Sequence, residues 1–321
     1  MLLKTIREQF RLENRLYRCL LCEFVATTFL IYVGLCIDAQ MFLSKGEKLS
    51  AFGHCIGWGL TLTLAVQCAY RCSGAHLNPA VSLFSWSFGT MRSLKYFWLY
   101  TIVQVAGAFV GAALCFILYF EKIEEFDGGS RMVSGPNATA AIFATYPGSH
   151  LGAIGAIIDQ VFSTAILCFS IGIITDERNE IPIAAQPPLM GVMLAMLCMG
   201  FGLNSGNAMN PARDFGPRLF TLIAGYGWEV FSYNNYKWFW IPILCPFGGA
   251  LLGSWLYQIL IGAQLDISLE KENSHPPYKS SEEEKISKTS LFTLDNNKKN
   301  SEERLAKISV SNLYNPATVI S

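Results

Sequence analysis

The stretches SGAHLNPAVSLFSW, residues 73–86, and GNAMNPARDFGPRLF, residues 206–220, decide the fold of this chain. Both contain Asn-Pro-Ala in corresponding places of two similar halves, as Asn78, Pro79, Ala80, Asn210, Pro211 and Ala212. Asn is a favoured helix N-cap and Pro is favoured at the first helical position, so each copy predicts the start of a helix. Because both copies lie between long apolar segments, they predict two half-helices of an inverted repeat, with a site near the middle of a bilayer.

The composition is that of a membrane protein. Of the 321 residues, 52% are hydrophobic and 15% are charged, whereas a soluble domain carries about 25% charged residues. The formal net charge is zero, so the chain lacks the basic character expected of a nucleic-acid-binding protein. Six apolar runs are long enough to cross a bilayer, at residues 19–37, 52–70, 96–120, 151–174, 188–206 and 239–261.

We therefore predict an all-α membrane protein with six transmembrane helices and two re-entrant half-helices, at residues 78–88 and 210–223. The half-helices follow the second and fifth runs, so three elements are followed by the same three with opposite topology. Small residues at matching places of both halves predict close helix packing, in the motifs Gly107-x-x-x-Gly111 and Gly249-x-x-x-Gly253.

Basic residues predict the orientation of the chain in the membrane. They are concentrated in a basic N-terminal segment, residues 1–16, and recur before the first and third runs, as Lys4, Arg7, Arg11, Arg15, Arg18, Arg92 and Lys95. Such residues favour the cytosolic side, so we expect both termini in the cytosol and the connection 121–150 outside the cell. The membrane we expect is the plasma membrane. That connection contains an N-glycosylation sequon at Asn137.

The polar residues 263–321 predict a disordered cytosolic tail. A third Asn-Pro-Ala lies in this tail at residues 315–317. It has no apolar flank and no matching half, so we interpret it as a coincidence.

The two half-helices predict the chemistry of the membrane centre. Their N-termini, each with about half a positive charge, would meet at one point and repel cations, hydronium included. The side-chain amides of Asn78 and Asn210 can donate hydrogen bonds to a passing oxygen. The non-helical approaches can line a cavity with carbonyl acceptors, from Gly74, Ala75, His76, Gly206, Asn207 and Ala208. Such groups suit a small neutral molecule that both gives and takes hydrogen bonds.

Two acids lie inside the apolar runs, Glu23 in the first and Asp159 in the fourth, at equivalent places in the two halves. Intramembrane acids are expensive and usually functional. They could transfer protons, or each carboxylate could accept hydrogen bonds from the adjacent re-entrant loop; the symmetry favours the second interpretation. His76 offers a similar choice between a proton sensor and a fixed scaffold, and we favour the scaffold.

The sequence gives no sign of enzymatic chemistry. It contains no evident nucleophile–base set, metal-ligand cluster or nucleotide loop, and its cysteine spacing fits neither a metal site nor a disulfide framework. We therefore predict no enzymatic activity, no cofactor and no metal. The competing class is an ion-coupled membrane transporter, because inverted repeats also occur in that class.

Together, these motifs resemble those of the aquaporin family, and within it those of the aquaglyceroporins. The resemblance spans residues 17–262 and includes FATYP at 143–147. It implies a channel domain with the aquaporin fold, assembled as a homotetramer with one pore per subunit. It also implies passive passage of water, glycerol and often urea, with ions and protons excluded.

The resemblance places the narrowest part of the pore, here called the filter, at Trp58, Cys198, Asn207 and Arg213. It implies that Trp58 offers an apolar face to the carbon edge of glycerol and that Arg213 donates to the hydroxyls. Strict water channels usually have His at the position of Cys198, and the smaller residue leaves space for glycerol. Asp214 is typical of glycerol-conducting members, so a strict water channel is the less favoured alternative. Asn207 departs from the aromatic residue of many glycerol channels; its side chain either makes the filter more polar or bonds locally.

Overall fold

A computed structural model describes residues 2–91 and 93–265. The regular structure of these residues is entirely helical, as predicted. Its α-helices are α1 Leu2–Gln9, α2 Arg15–Leu43, α3 Ala51–Ser73, α4 Pro79–Ser87, α5 Leu94–Asp127, α6 Ala153–Thr175, α7 Gln186–Ser205, α8 Pro211–Thr221, α9 Glu229–Ser232 and α10 Ile241–Leu260. Arg92 and residues 266–321 of the predicted tail, including the third Asn-Pro-Ala, lie outside the described residues.

Among the described helices, five are long and apolar enough to cross a membrane, namely α2, α5, α6, α7 and α10. The predicted second crossing is also a helix, α3, with 23 residues. A helix of that length rises about 34 Å at about 1.5 Å per residue, enough for a hydrocarbon core of about 30 Å. Its apolar character is weaker because it carries residues such as His54 and Arg71, which line an internal cavity.

The packing of the helices repeats between the two halves. In the first half α2 packs against α3 and α5, and in the second α6 packs against α7 and α10. Each half-helix packs against a helix of the opposite half: α4 against α10 of the second half, and α8 against α5 of the first. The pore-side helices α3 and α7 pack against each other. This exchange is the arrangement expected of an inverted repeat.

Small residues allow the closest helix contacts, as predicted. A Cβ on Gly111 would lie 2.8 Å from the Tyr32 amide nitrogen, on α2. A Cβ on Gly253 would lie 2.1 Å from the Ala165 carbonyl oxygen, on α6. The two motifs therefore bring α5 onto α2 and α10 onto α6 at distances that only glycine permits.

Candidate functional site

The two Asn-Pro-Ala motifs meet, and the asparagine of each bonds to the residue that precedes the other motif. Asn78 caps α4 by accepting a hydrogen bond from the Ala80 amide at 2.8 Å, and its Nδ2 donates to the Met209 carbonyl at 2.9 Å. Asn210 caps α8 in the same way, and its Nδ2 donates to the Leu77 carbonyl at 2.9 Å. Because an amide has two N–H donors, each asparagine ties the two loops together and keeps one donor for another oxygen. Pro79, Ala80, Pro211 and Ala212 are buried in the first turns of the half-helices.

The approaches to the half-helices have the irregular backbone that the sequence predicts. Ala75 and Leu77 in the first, and Asn207 and Met209 in the second, have positive φ angles between 43° and 56°. Such left-handed residues other than glycine cost about 1–3 kcal/mol each. They persist only where the surrounding structure holds them.

Glu23 holds the first loop. Its carboxylate is fully buried and accepts hydrogen bonds from the backbone amides of His76, at 2.9 Å, and Leu77, at 2.8 Å. The Ser73 hydroxyl donates at 2.6 Å and the Gln104 amide at 2.9 Å. These four donors match the predicted scaffold role.

In the second half, Asp159 and Gln160 divide between them the contacts that Glu23 makes in the first half. Gln160 Oε1 accepts a hydrogen bond from the Met209 amide at 3.1 Å, as Glu23 does from Leu77 in the first half. Asp159 lies one step further back, where it accepts from Asn204 Nδ2 at 2.9 Å and from the Ser205 hydroxyl. The predicted equivalence of the two acids therefore holds for the serine that ends each pore-side helix, but the loop amide is held by Gln160 and not by Asp159.

A continuous cavity of about 1340 Å³ runs along the helix pair α3 and α7. Its lining extends from Phe52 at one end of α3 to Arg71 at the other, and passes Asn78 and Asn210 between them. The residues predicted to supply carbonyl acceptors from both loops also line it, namely Gly74, Ala75, His76, Gly206, Asn207 and Ala208. Such a cavity exposes donors and acceptors to a solute over the whole length of a spanning helix.

Two of the predicted filter residues, Trp58 and Arg213, meet near one end of this cavity, and a third, Cys198, lines it. The Arg213 guanidinium lies 5.3 Å from the centre of the Trp58 ring, and Arg213 Nη1 donates to the Phe143 carbonyl at 2.8 Å. Cys198 is buried and also lines the cavity. A cation, an aromatic ring and a small thiol therefore all border the same cavity.

Asn207, the fourth predicted filter residue, bonds locally. Its Nδ2 donates to the Cys198 carbonyl at 3.2 Å. Its Oδ1 is buried and has no hydrogen-bond partner among the described residues. The residue still contributes to the cavity lining, so the side chain is tied to α7 while one acceptor remains unpaired.

Asp38 and His54, which were not predicted as site residues, also lie at this end of the cavity. Asp38, on α2, accepts from Trp58 Nε1 at 2.7 Å and from Arg213 Nη2 at 3.0 Å. His54 Nε2 lies 2.7 Å from the same carboxylate. The predicted first run ends at Ile37, one residue before this acid, although α2 continues to Leu43.

Asp214 is fully buried and does not line the described cavity. It pairs with Arg218, whose Nε lies 2.8 Å from Asp214 Oδ1, and it accepts from the Thr145 amide at 2.9 Å. Trp238 Nε1 donates to the Thr145 carbonyl at 2.6 Å. The Arg218 guanidinium lies 4.8 Å from the ring centre of Tyr146, whose pKa is raised by burial to about 12. Asp214 therefore positions the FATYP segment behind the filter.

His76 fits the scaffold interpretation geometrically. Its Nδ1 lies 3.1 Å from the Ser82 hydroxyl, and its ring centre lies 5.1 Å from that of Tyr100. Because its backbone amide is also held by Glu23, the residue is fixed at three points while it lines the cavity.

Comparison with known proteins decides the family. Residues 11–257 match the family described as major intrinsic protein. The chain belongs to the major intrinsic protein family. The predicted resemblance to aquaporins is confirmed, and with it the all-helical channel fold of an integral membrane protein.

The relatives of this major intrinsic protein include aquaporins from mammals. It is 40% identical to aquaporin-9 of Rattus norvegicus over 275 residues, which cover 84% of this chain and 92% of that protein. It is 37% identical to aquaporin-10 of Homo sapiens over 257 residues, covering 80% and 85%. Among solved structures, the aquaglyceroporin from Plasmodium falciparum superimposes with a TM-score of 0.69 at 28% identity, covering 77% of this chain and 98% of that chain.

Proposed function

We propose that this major intrinsic protein is a passive channel for glycerol and water, and not an enzyme. The observation that carries the proposal is the cavity along the full length of α3, with the paired asparagines between its ends. An alternating-access transporter closes its site to one side in each conformation. A cavity lined from Phe52 to Arg71 in a single conformation favours a channel.

The proposed mechanism uses donors and acceptors in sequence. Loop carbonyls replace the water that a hydroxyl loses on entering the pore. At the centre, the free N–H groups of Asn78 and Asn210 donate to the oxygen of the solute. The N-termini of α4 and α8 contribute a positive potential there, which opposes cations and hydronium. Glycerol, urea and water cross because they exchange hydrogen bonds with water for hydrogen bonds with the wall.

Cys198 is the residue whose size we propose to separate glycerol passage from a strict water pore. Cys198→His should reduce glycerol permeability about tenfold or more while water permeability falls much less, because the imidazole occupies the space needed by a three-carbon polyol. Cys198→Ala is the matched control and should keep both. Both permeabilities are measured by stopped-flow light scattering on proteoliposomes. An equal loss of both in Cys198→His would place Cys198 outside the constriction.

Urea is the third proposed solute, and Asn207 is the residue proposed to admit it. Asn207→Phe should lower the permeability ratio of urea to glycerol, because an aromatic wall favours the carbon edge of glycerol over a molecule that is polar on every edge. Asn207→Gly accepts the positive φ and removes the side chain, so it separates the effect of the ring from the loss of the amide. An unchanged ratio in Asn207→Phe would show that the position does not face the solute.

We further propose a homotetramer in the plasma membrane with both termini in the cytosol. Large apolar side chains that are exposed on the spanning helices and do not line the cavity support burial against lipid or other subunits, among them Leu60, Leu64 and Val192. Asn137 is exposed in the connection after α5, as an external glycosylation site requires.

A further inference from the structure

Asp38 brings a negative charge to the part of the cavity where Arg213 brings a positive one. Its Oδ2 lies 3.0 Å from Arg213 Nη2. Its Oδ1 lies 2.7 Å from Trp58 Nε1 and 2.7 Å from His54 Nε2. All four residues line the cavity. The carboxylate is therefore built into the filter by a cation, an indole and an imidazole.

We propose that Asp38 is a specificity-determining residue of the pore, which offsets the charge of Arg213 at the filter. The proposal rests on the proposed function, a channel whose narrow part includes Arg213. An ion pair with its charges about 3 Å apart presents a dipole to the lumen instead of a net charge, and its field falls off faster with distance than that of a lone guanidinium. The filter is then polar and nearly neutral, and the exclusion of cations rests chiefly on the N-termini of α4 and α8.

The carboxylate also sets which donors face the solute. One arm of Arg213 is engaged by the Phe143 carbonyl and the other by Asp38. The indole N–H of Trp58 donates to Asp38, so the ring presents its apolar surface to the passage without a free donor. Packing reinforces this orientation, because a Cβ on Gly34, one turn before Asp38 on α2, would lie 2.3 Å from the Trp58 ring.

Removing the charge of Arg213 alone and removing both charges should have different effects on cation leak. Arg213→Val leaves the carboxylate unopposed, so small cations should be attracted to the filter. Arg213→Val combined with Asp38→Asn removes both charges and keeps the shape of the acid. The double variant should therefore leak less than Arg213→Val, although it carries one more substitution.

The experiment measures methylammonium and proton leak, each divided by glycerol permeability, in proteoliposomes of the full chain. We expect leak to rise in Arg213→Val and to fall about tenfold from that level in the double variant, the scale expected for one elementary charge beside a narrow pore. Asp127→Asn is the matched control, since Asp127 pairs with Arg131 and does not line the described cavity. Added to Arg213→Val, it should leave the leak unchanged.

Equal leak in Arg213→Val and in the double variant would overturn the role of Asp38. An equal fall in leak when Asp127→Asn is added to Arg213→Val would also overturn it, because the effect would then be structural. Failure of the proposed function gives a different result: the unaltered protein would pass no glycerol.

Discussion

Glu23→Ala should leave little folded protein, whereas Glu23→Gln should retain a folded and conducting channel. The alanine leaves four buried donors without their acceptor, including the amides of His76 and Leu77. Each unpaired buried donor costs about 1–3 kcal/mol, and the sum approaches the about 5–15 kcal/mol that stabilise a typical folded protein. The left-handed backbone of the first loop would lose its support as well.

The glutamine variant is the matched control because it keeps one acceptor oxygen. Its new N–H groups can also be used: Gln104 Oε1 is buried without a hydrogen-bond partner among the described residues, and it could accept from them. Folded yield is measured by size-exclusion chromatography in detergent, and glycerol flux is measured with and without a proton gradient. If both variants fold and are equally inactive, and if uptake by the unaltered protein follows the gradient, Glu23 is a proton relay and not a scaffold.

Asp214→Ala should also be strongly destabilising, without turning the protein into a water channel. It would leave Arg218, which is fully buried, without its carboxylate. Breaking a buried pair in this way costs about 3–5 kcal/mol. It would also loosen Thr145, whose amide donates to Asp214 and whose carbonyl accepts from Arg218. The measurement is the thermal unfolding midpoint of the detergent-solubilised protein.

Replacing both members of this pair tests the same explanation. Asp214→Leu with Arg218→Met removes both charges, so part of the lost stability should return. Asp214 would instead act directly on selectivity if Asp214→Ala folded normally and its glycerol-to-water permeability ratio fell.

The half-helices could be predicted because their signals are local. Asn78 and Asn210 cap the helices that begin at the following prolines, and this chemistry depends only on adjacent residues. The bond from Asn78 to the Met209 carbonyl joins residues 131 positions apart. Such a contact follows from the way the two halves face each other, which no local pattern contains.

The filter shows where sequence reasoning reached its limit. Trp58, Cys198 and Arg213 were placed together through the motifs of the resembling family; Trp58 and Arg213 meet in the structure, and Cys198 lines the same cavity. Asp38 was missed because hydropathy ends the first run at an acid, although the helix continues. Gly34 and Asp38 are four residues apart and share a helix face, and both contact Trp58. That spacing was the available signal.

The sequence also does not show which of two adjacent polar residues on a helix faces a loop. Asp159 and Gln160 differ by one position, and neighbours on a helix point about 100° apart. An acid in the second half suggested symmetry with Glu23, but the amide of Gln160 faces the loop. Only the rotation of α6 against α7 decides between them, and that rotation is set by tertiary packing.

The most direct test of the central claim is a paired measurement on the purified protein in liposomes. Water and glycerol permeabilities are recorded on the same vesicles, with and without imposed proton and sodium gradients, and compared with protein-free vesicles. We expect both permeabilities to rise above the protein-free level, and glycerol to reach equal concentrations on the two sides, whichever gradient is imposed. Accumulation of glycerol against its own gradient, or water flux without glycerol flux, would contradict a passive glycerol and water channel.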